Sequence, residues 1–402
     1  MRKGWEIRKL EEICELSAGG DVPKDNFSET QTEKYQIPIY ANGEKNNGLY
    51  GYTNTAKVLK PSITVSARGT IGFAVKRIKP FFPIVRLIVV TPNDLKELSL
   101  DYLDYALRKI DFKHSGSSIP QLTVPMIRDY EIPLPEIAEQ KLIVSILDEA
   151  FAVIAKAKAN AEKNLKNAKE LFESYLQGVF ENRGEGWEEF TVKECIESNI
   201  IYKPLDGNHG EIHPTKADFV DSGIPFIMSR DMKNGGIDEI GCNFITEKQA
   251  KSLRTGFAKN GDVLLSHKGT IGTVSVLSTT RDFIVLTPQI TFYRIKNKEK
   301  LIKEFLYYYF LNPSFQKDMN SVAQGGSTRA YIGITKQLEL KIIIAPFKQQ
   351  INIVNKLDAI RFETKKLEAV YQKKITDLEE LKKSILQKAF AGELNVKEAV
   401  MV

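Results

Sequence analysis

Between Glu136 and Phe180 the apolar residues recur at steps of three and four: Leu147, Ala150, Ile154, Ala157, Ala161, Leu165, Ala168, Phe172, Tyr175 and Val179. The run contains no proline, and Gly178 is its only glycine. That spacing, close to a 3.5-residue repeat, predicts one long helix with a coiled-coil seam and an outer face rich in Lys and Glu. A helix of about 45 residues measures roughly 68 Å at 1.5 Å per residue. Most of a helix's stability in a protein comes from packing its apolar face, so this one needs a partner. A second run of the same kind follows Pro346 and extends to about Phe390. Its seam is read at Val354, Leu357, Ile360, Leu367, Tyr371, Leu378, Leu381 and Ile385, and Gly392 stops it.

Outside these runs the pattern shortens and alternates. Ile63–Val65 and Phe73–Val75 read as strands flanking the turn signal Arg68-Gly69, Ile84–Val90 as a further strand, Leu98–Ile110 as a short helix, and Glu131–Pro135 as an extended exit. Residues 187–344 repeat this grammar, with strand signals at Asp262–Leu265 and Thr273–Val276 around a Lys-Gly turn and an aromatic helix at Phe305–Leu311. Four markers recur in the same order. Gly4-Trp5-Glu6 returns as Gly186-Trp187-Glu188, and Ser66–Gly72 as Ser266–Gly272. Glu139–Val144 returns as Gln349–Val354, and Glu170–Gln177 as Glu380–Gln387. A tandem duplication explains the order. The expected organisation is a variable unit at 1–134, a helix at 135–183, a second variable unit at 184–345 and a second helix at 346–392. Short connections favour antiparallel pairing of the helices, since parallel pairing would demand a return link of roughly 68 Å. The expected fold is therefore mixed α/β, with two globular units at opposite ends of an antiparallel two-helix coiled coil, related by a pseudo-twofold internal repeat.

With 402 residues, 42% of them hydrophobic and 27% charged, the chain is long enough for several cores and has the composition of a soluble protein. The net charge of +6 suits a polyanionic partner without proving one. Three cysteines, Cys14, Cys195 and Cys242, argue against a disulfide framework and read as small buried apolar side chains. No signal peptide is visible and no apolar run is long enough for a bilayer, so no membrane is expected and the cytoplasm is the expected location.

Variable unit, long helix, variable unit, long helix resembles the DNA-specificity subunit of type I restriction-modification systems, over nearly the whole chain. The pieces that carry the resemblance are Ile37-Pro38-Ile39-Tyr40-Ala41-Asn42-Gly43, Gly51-Tyr52-Thr53, Arg68–Gly72 and Ser117–Thr123. Pro133-Leu134-Pro135 before Glu139-Gln140 closes the first half. The second half offers Ile224–Ile227, Gly261–Leu264, Lys268–Gly272 and Gly326–Arg329. One departure is Gln349, where an acidic residue is usual before the final glutamine. The resemblance implies a non-catalytic subunit whose two target recognition domains each read one half of a split, asymmetric site in double-stranded DNA. The helices would set the spacer and dock two methyltransferase subunits, and two restriction-translocation subunits would complete the enzyme. AdoMet, ATP and Mg²⁺ would belong to those partners, with no cofactor bound by this chain.

For DNA contact the candidates are Asn42, Lys45, Arg68, Lys76, Arg77, Ser117, Arg230, His267, Lys268, Thr328, Arg329 and Tyr331. Arg and Lys suit guanine edges or phosphates, and Asn suits adenine. Each also has a plain alternative. A glycine turn carries a solvated charge at its tip, and a Gly-Ser loop merely connects. Leu147, Ile154, Leu165, Phe172, Leu357, Leu367, Leu378 and Ile385 are expected to form the helix seam or a partner surface. His209 and His213 lie four apart, but Gly207, Gly210 and Pro214 argue against the helix a zinc pair would need. Asn312-Pro313-Ser314-Phe315 is short of an adenine-methyltransferase motif and reads as a helix-breaking turn. No phosphate-binding loop and no nucleophile-base constellation is present. No catalytic residue and no metal ligand is assigned.

Overall fold

A computed structural model describes residues 4–113, 120–209, 211–323 and 330–394. The chain divides into two compact units, residues 1–162 with 372–402, and residues 163–371. Two helices of 45 residues each, Ile137–Glu181 and Phe347–Ala391, contribute one stretch to each unit. The first helix ends where Asn182 folds its side-chain amide back onto the Gly178 carbonyl at 2.9 Å. The second ends at Gly392, whose φ of +74° and N–H bond to the Ala389 carbonyl form a left-handed cap.

The helix runs pack along one row of side chains. Gln140, Leu147, Ile154, Ala161 and Ala168 are buried and seven residues apart, as are Gln350, Leu357 and Thr364. Tyr371, Leu378 and Ile385 continue the second row half-buried. The companion row is more open. Leu165 and Phe172 are half-buried, while Leu367 and Leu381 are 39% and 46% exposed. Of the residues expected in the seam, Leu367 and Leu381 thus lie at its exposed edge. Thr364, which a search for apolar residues passes over, fills the row, its hydroxyl donating to the Arg361 carbonyl at 3.1 Å. Within each unit the two helix stretches run antiparallel. In the first, Lys158 bonds to Glu379 at 2.6 Å while Lys382 sits over the Phe151 ring. In the second, Lys169 and Phe172 share a groove with Arg361 and Thr364, and Gly178 and Asn182 share one with Gln349 and Ile353.

Each unit repeats a four-stranded antiparallel sheet. The first has a four-stranded antiparallel sheet in the order Cys14–Ala18, Ile88–Pro92, Ser62–Val65, Ala74–Arg77. The second has Leu205–Asp206, Ile290–Tyr293, Val263–Ser266, Val274–Val276. The central strands Ser62–Val65 and Val263–Ser266 are buried at every position, which is why they read as continuous rather than alternating. A second sheet in each unit pairs Ile37–Tyr40 with Phe82–Pro83, or Ile224–Ile227 with Ile284–Leu286, in parallel. Glu6–Lys9 pairs with Glu131–Leu134, and Glu188–Thr191 with Lys341–Ile344, at the root of each unit. The strand expected over Ile84–Val90 is interrupted: Val85 and Arg86 have φ of +52° and +59°, and the sheet strand begins only at Ile88. The three cysteines are free and buried, and burial pushes the Cys14 and Cys195 thiols up to about 12.

The units are fastened to their helices by the same hydrogen bonds. Gln140, fully buried, accepts from the Ser99 N–H at 2.9 Å and donates to the Glu97 and Pro135 carbonyls at 2.8 and 2.9 Å. Gln350 does the same with the Ile302 N–H and the Lys300 and Ala345 carbonyls at 3.0, 2.8 and 2.7 Å. One residue earlier, the Trp5 indole donates to Glu139 at 3.1 Å and the Trp187 indole to Gln349 at 2.8 Å. The exchange of Glu139 for Gln349 thus keeps the acceptor and drops only the charge. Replacing Gln140 or Gln350 with Leu strands one N–H and two carbonyls inside the protein. We expect a loss on the order of 3 kcal/mol, read by chemical denaturation, while an exposed exchange such as Lys166→Gln should stay within about 0.5 kcal/mol.

Candidate nucleic-acid interface

The hairpin turns Ser66–Gly72 and Ser266–Gly272 share one backbone. Ser66 N donates to Phe73 O at 3.0 Å and Gly72 N to Ser66 O at 3.0 Å; Ser266 N donates to Thr273 O and Gly272 N to Ser266 O, both at 2.9 Å. Gly69 and Gly269 sit at φ of +71° and +79°, where an L-residue is strained. Each turn is pinned from the side by a segment that follows about 55 to 65 residues later in chain: Leu122 N donates to Ala67 O, and Ile332 N to His267 O, both at 2.9 Å. This brings Gln121 beside Arg68 and Tyr331 beside Lys268.

A second turn stands next to each tip. Ile84 N donates to Tyr40 O and Thr287 N to Ile227 O, both at 2.9 Å. Gly19 N donates to Leu87 O and Gly207 N to Ile290 O, both at 2.8 Å. Residues 84–87 and 287–290 are therefore equivalent, with Arg86 matching Gln289. Gly19 and Gly207 have no room for a Cβ, which would lie 2.6 Å from Ile84 N and 1.9 Å from Thr287 O.

On this framework the candidate side chains separate. Arg68 is half-buried and its Nη2 donates to Gln121 Oε1 at 2.8 Å; Lys268 is exposed and Tyr331 is 44% exposed. Asn42 uses its side chain to join the two turns of its unit. It donates to Val85 O and accepts from Ala67 N, both at 2.7 Å, so its amide is already engaged. Lys45 is exposed on a loop whose neighbours Asn46 and Asn47 take φ of +51° and +52°. Arg230 is exposed beside the buried Asp231, 3.5 Å away. Lys76 pairs with Asp101 near the end of the hairpin remote from the tip. Ser117, Thr328 and Arg329 lie outside the described residues.

Arg77 and His267 are corrected. Arg77 is 7% exposed, stacks its guanidinium 3.5 Å from the Tyr40 ring centroid and donates to Thr64 at 3.0 Å and to the Asn47 carbonyl at 2.5 Å. His267 is 5% exposed and bonds Thr291 at 2.7 Å, Pro288 O at 3.0 Å and Gln337 at 2.9 Å, with Asp206 at 3.3 Å. Burial alone would raise the Asp206 carboxyl, but the bonds from His267 and Thr291 outweigh it and hold the group below its usual value. The first unit fills the same interior with Ala67, Ile88 and Ile127. A cation and an imidazole counted at the surface are thus core groups, because the sheet turns each inward.

The fold also places residues near the turns that the sequence did not single out as candidates: Arg86 and Gln121 in the first unit, and Ser229 and Gln289 in the second. Arg86 left one signal, a charge inside an otherwise apolar run. Among the described residues no group of three or more His, Cys, Asp or Glu is placed to hold a metal, and no helix is long and apolar enough to cross a membrane. His209 bonds the Gly207 carbonyl at 2.8 Å, and His213 packs on Phe226. Asn312 ends one helix and caps the next, accepting from Ser314 N at 3.3 Å.

Two surfaces of hairpin turns on a duplicated helix-anchored frame define a class of protein, and comparison supplies the family. The type I restriction modification DNA specificity domain matches residues 2–166 and 184–377, and the chain belongs to that family. A Mycoplasma pneumoniae protein provisionally named a type I specificity subunit is 36% identical over 183 residues, 44% of this chain and 54% of that one. The chain spans about half the length of this relative and, at 48%, of a second from the same organism. The type I restriction enzyme MjaVIII specificity subunit of Methanocaldococcus jannaschii is 24% identical over 74% of this chain and 70% of its own length. Two solved structures share the fold. One, from work on complex assembly and conformational transition of the type I R-M system, has a TM-score of 0.77 and 18% identity over 98% of this chain and 99% of that one. The other, the HsdS subunit from Thermoanaerobacter tengcongensis, has a TM-score of 0.57 and 17% identity over 98% of both chains.

The burial of Arg77 has a measurable consequence. Arg77→Gln removes the stacked guanidinium from the interior and should cost about 1–3 kcal/mol of stability. Arg68→Gln, at the open turn, should cost under about 1 kcal/mol. Thermal unfolding of the two variants side by side checks the order, and equal losses would return Arg77 to the surface.

Proposed function

We propose that this chain is the non-catalytic specificity subunit of a type I restriction-modification complex and that it binds double-stranded DNA in a sequence-selective way. Each unit reads one half of a bipartite, asymmetric site. The long helices set the spacer between the halves and dock two methyltransferase subunits, and two restriction-translocation subunits complete the assembly. AdoMet, ATP and Mg²⁺ serve those partners, and the complex works in the cytoplasm. The observation that carries the reading is the contrast between frame and tip. Gln140 and Gln350 make the same three hydrogen bonds. At the turns, however, the first unit places Arg68 beside Gln121 where the second places Lys268 beside Tyr331. Equal frames give equal docking, and unequal tips give unequal half-sites. Base edges in the major groove distinguish all four base pairs, and contacts to phosphates hold the register.

A protein that contacts phosphates releases counterions. The assembled complex should therefore bind duplex DNA with an affinity that falls linearly on a log–log plot against salt, with a slope of about −0.9 for each phosphate contacted. Exchanging residues 184–345 for the second unit of another family member should leave the assembly intact and change only one half of the bound sequence. Binding indifferent to salt, or an exchange that alters neither half, contradicts the reading.

A further inference from the structure

The turn at residues 84–87 is built at a conformational cost that its twin avoids. Val85, a β-branched residue, and Arg86 both lie in the left-handed region, at φ of +52° and +59°. The turn is held there from outside. Val85 N donates to Gly20 O at 2.8 Å, Arg86 N to Gly19 O at 2.9 Å, and Asn42 donates to Val85 O at 2.7 Å. The second unit makes the equivalent turn with Pro288 and Gln289, neither of which has a positive φ. Strain that persists under such over-determined support points to a use for what it positions.

What it positions is Arg86. The exposed side chain reaches Gln121 Oε1 at 3.5 Å, the same oxygen that accepts from Arg68 at 2.8 Å. The buried Nε of Arg68 has no hydrogen-bond partner among the described residues. The Lys57 ammonium lies beside Gly20 in the same region. Asp21 lines the cleft with Arg68 and Arg86, yet neither guanidinium forms an ion pair among the described residues. Arg68 and Arg86 converge on one acceptor without an ion pair among the described residues, while the Lys57 ammonium lies over the Phe82 ring at 4.6 Å. Guanine presents two acceptors, O6 and N7, at the spacing of a guanidinium fork.

We propose that Arg86, positioned beside Arg68 by the strained turn, is a specificity-determining residue of the first unit that reads guanine in its half-site. The equivalent Gln289 is the specificity-determining residue of the second unit. Gln289 carries a carboxamide, the group that pairs with adenine, and its Oε1 is oriented by the Ser229 hydroxyl at 3.2 Å. The proposal rests on the DNA-reading function above, and it makes this one position a source of the difference between the two half-sites.

The test uses the chain assembled with its methyltransferase and a library of duplexes randomised through the bound site. Wild type, Arg86→Gln and Arg86→Lys are compared by the sequences they retain. Arg86→Gln should weaken the preference for guanine at one position of one half on the order of ten- to a hundredfold, leaving the other half and the spacer unchanged. Arg86→Lys should keep overall affinity and lose part of that preference, because an ammonium cannot form the planar fork. A uniform loss of affinity for every sequence would make Arg86 a phosphate contact, and an unchanged preference would remove it from the interface. Failure of both variants to fold and assemble would make it a structural residue. Each of these outcomes overturns the proposal. A wild-type complex that selects no sequence would instead overturn the specificity-subunit reading itself.

Discussion

A single buried carboxamide at the head of each long helix fixes the unit built on it. Gln140 and Gln350 are completely enclosed, and each spends its acceptor and both donors on backbone groups of its own unit. A buried amide left short of partners is expensive, so such a residue tolerates one geometry only. The helix entry, the segment before the short helix and the strand exit at Pro135 or Ala345 are locked together at one point. Everything farther out inherits its orientation from that lock, including the hairpin turns.

The duplication then shows which parts of the frame are free to change. The interior beneath the turns is apolar in the first unit, with Ala67, Ile88 and Ile127, and polar in the second, with His267, Thr291 and Gln337. Both solutions hold the same backbone, because His267, Thr291 and Gln337 find partners in one another and in the groups around them. Tyr293 donates to Gln337 at 2.9 Å and Thr291 to Asp206 at 2.5 Å. A buried network that is fully satisfied can replace a packed apolar core without moving the sheet. The tips sit on these two interiors and differ again, in charge and in hydrogen-bonding pattern. Conserved backbone with altered surface chemistry is what a pair of readers on one scaffold requires.

The long helices and the doubled order of elements were legible because their signals are periodic and long. The row Leu147, Ile154, Ala161, Ala168 repeats at seven residues in both sequence and structure. Thr364 was not legible as a member of the facing row, since a polar residue enters it only by bonding its own helix carbonyl. The short strands were readable in place but not in extent. The apolar run through Ile84–Val90 hides a turn, because hydrophobicity reports burial and not φ. The candidate site was the least legible part. Arg77 and His267 carry surface-type side chains that the hairpin directs inward, and Arg86 reaches the tip because its turn is held by residues 19, 20, 42 and 121, all distant in sequence. Residue type predicts what a side chain can bind, while its access to a ligand is set by the fold around it.

The two-reader account is tested most directly by mapping the DNA methylation of a host genome in which this chain is expressed with its proposed methyltransferase partner. The account predicts one methylated motif made of two unlike halves separated by a spacer of constant length. A soluble, assembled complex that adds no methylation, or a motif with two identical halves or a variable spacer, would contradict it.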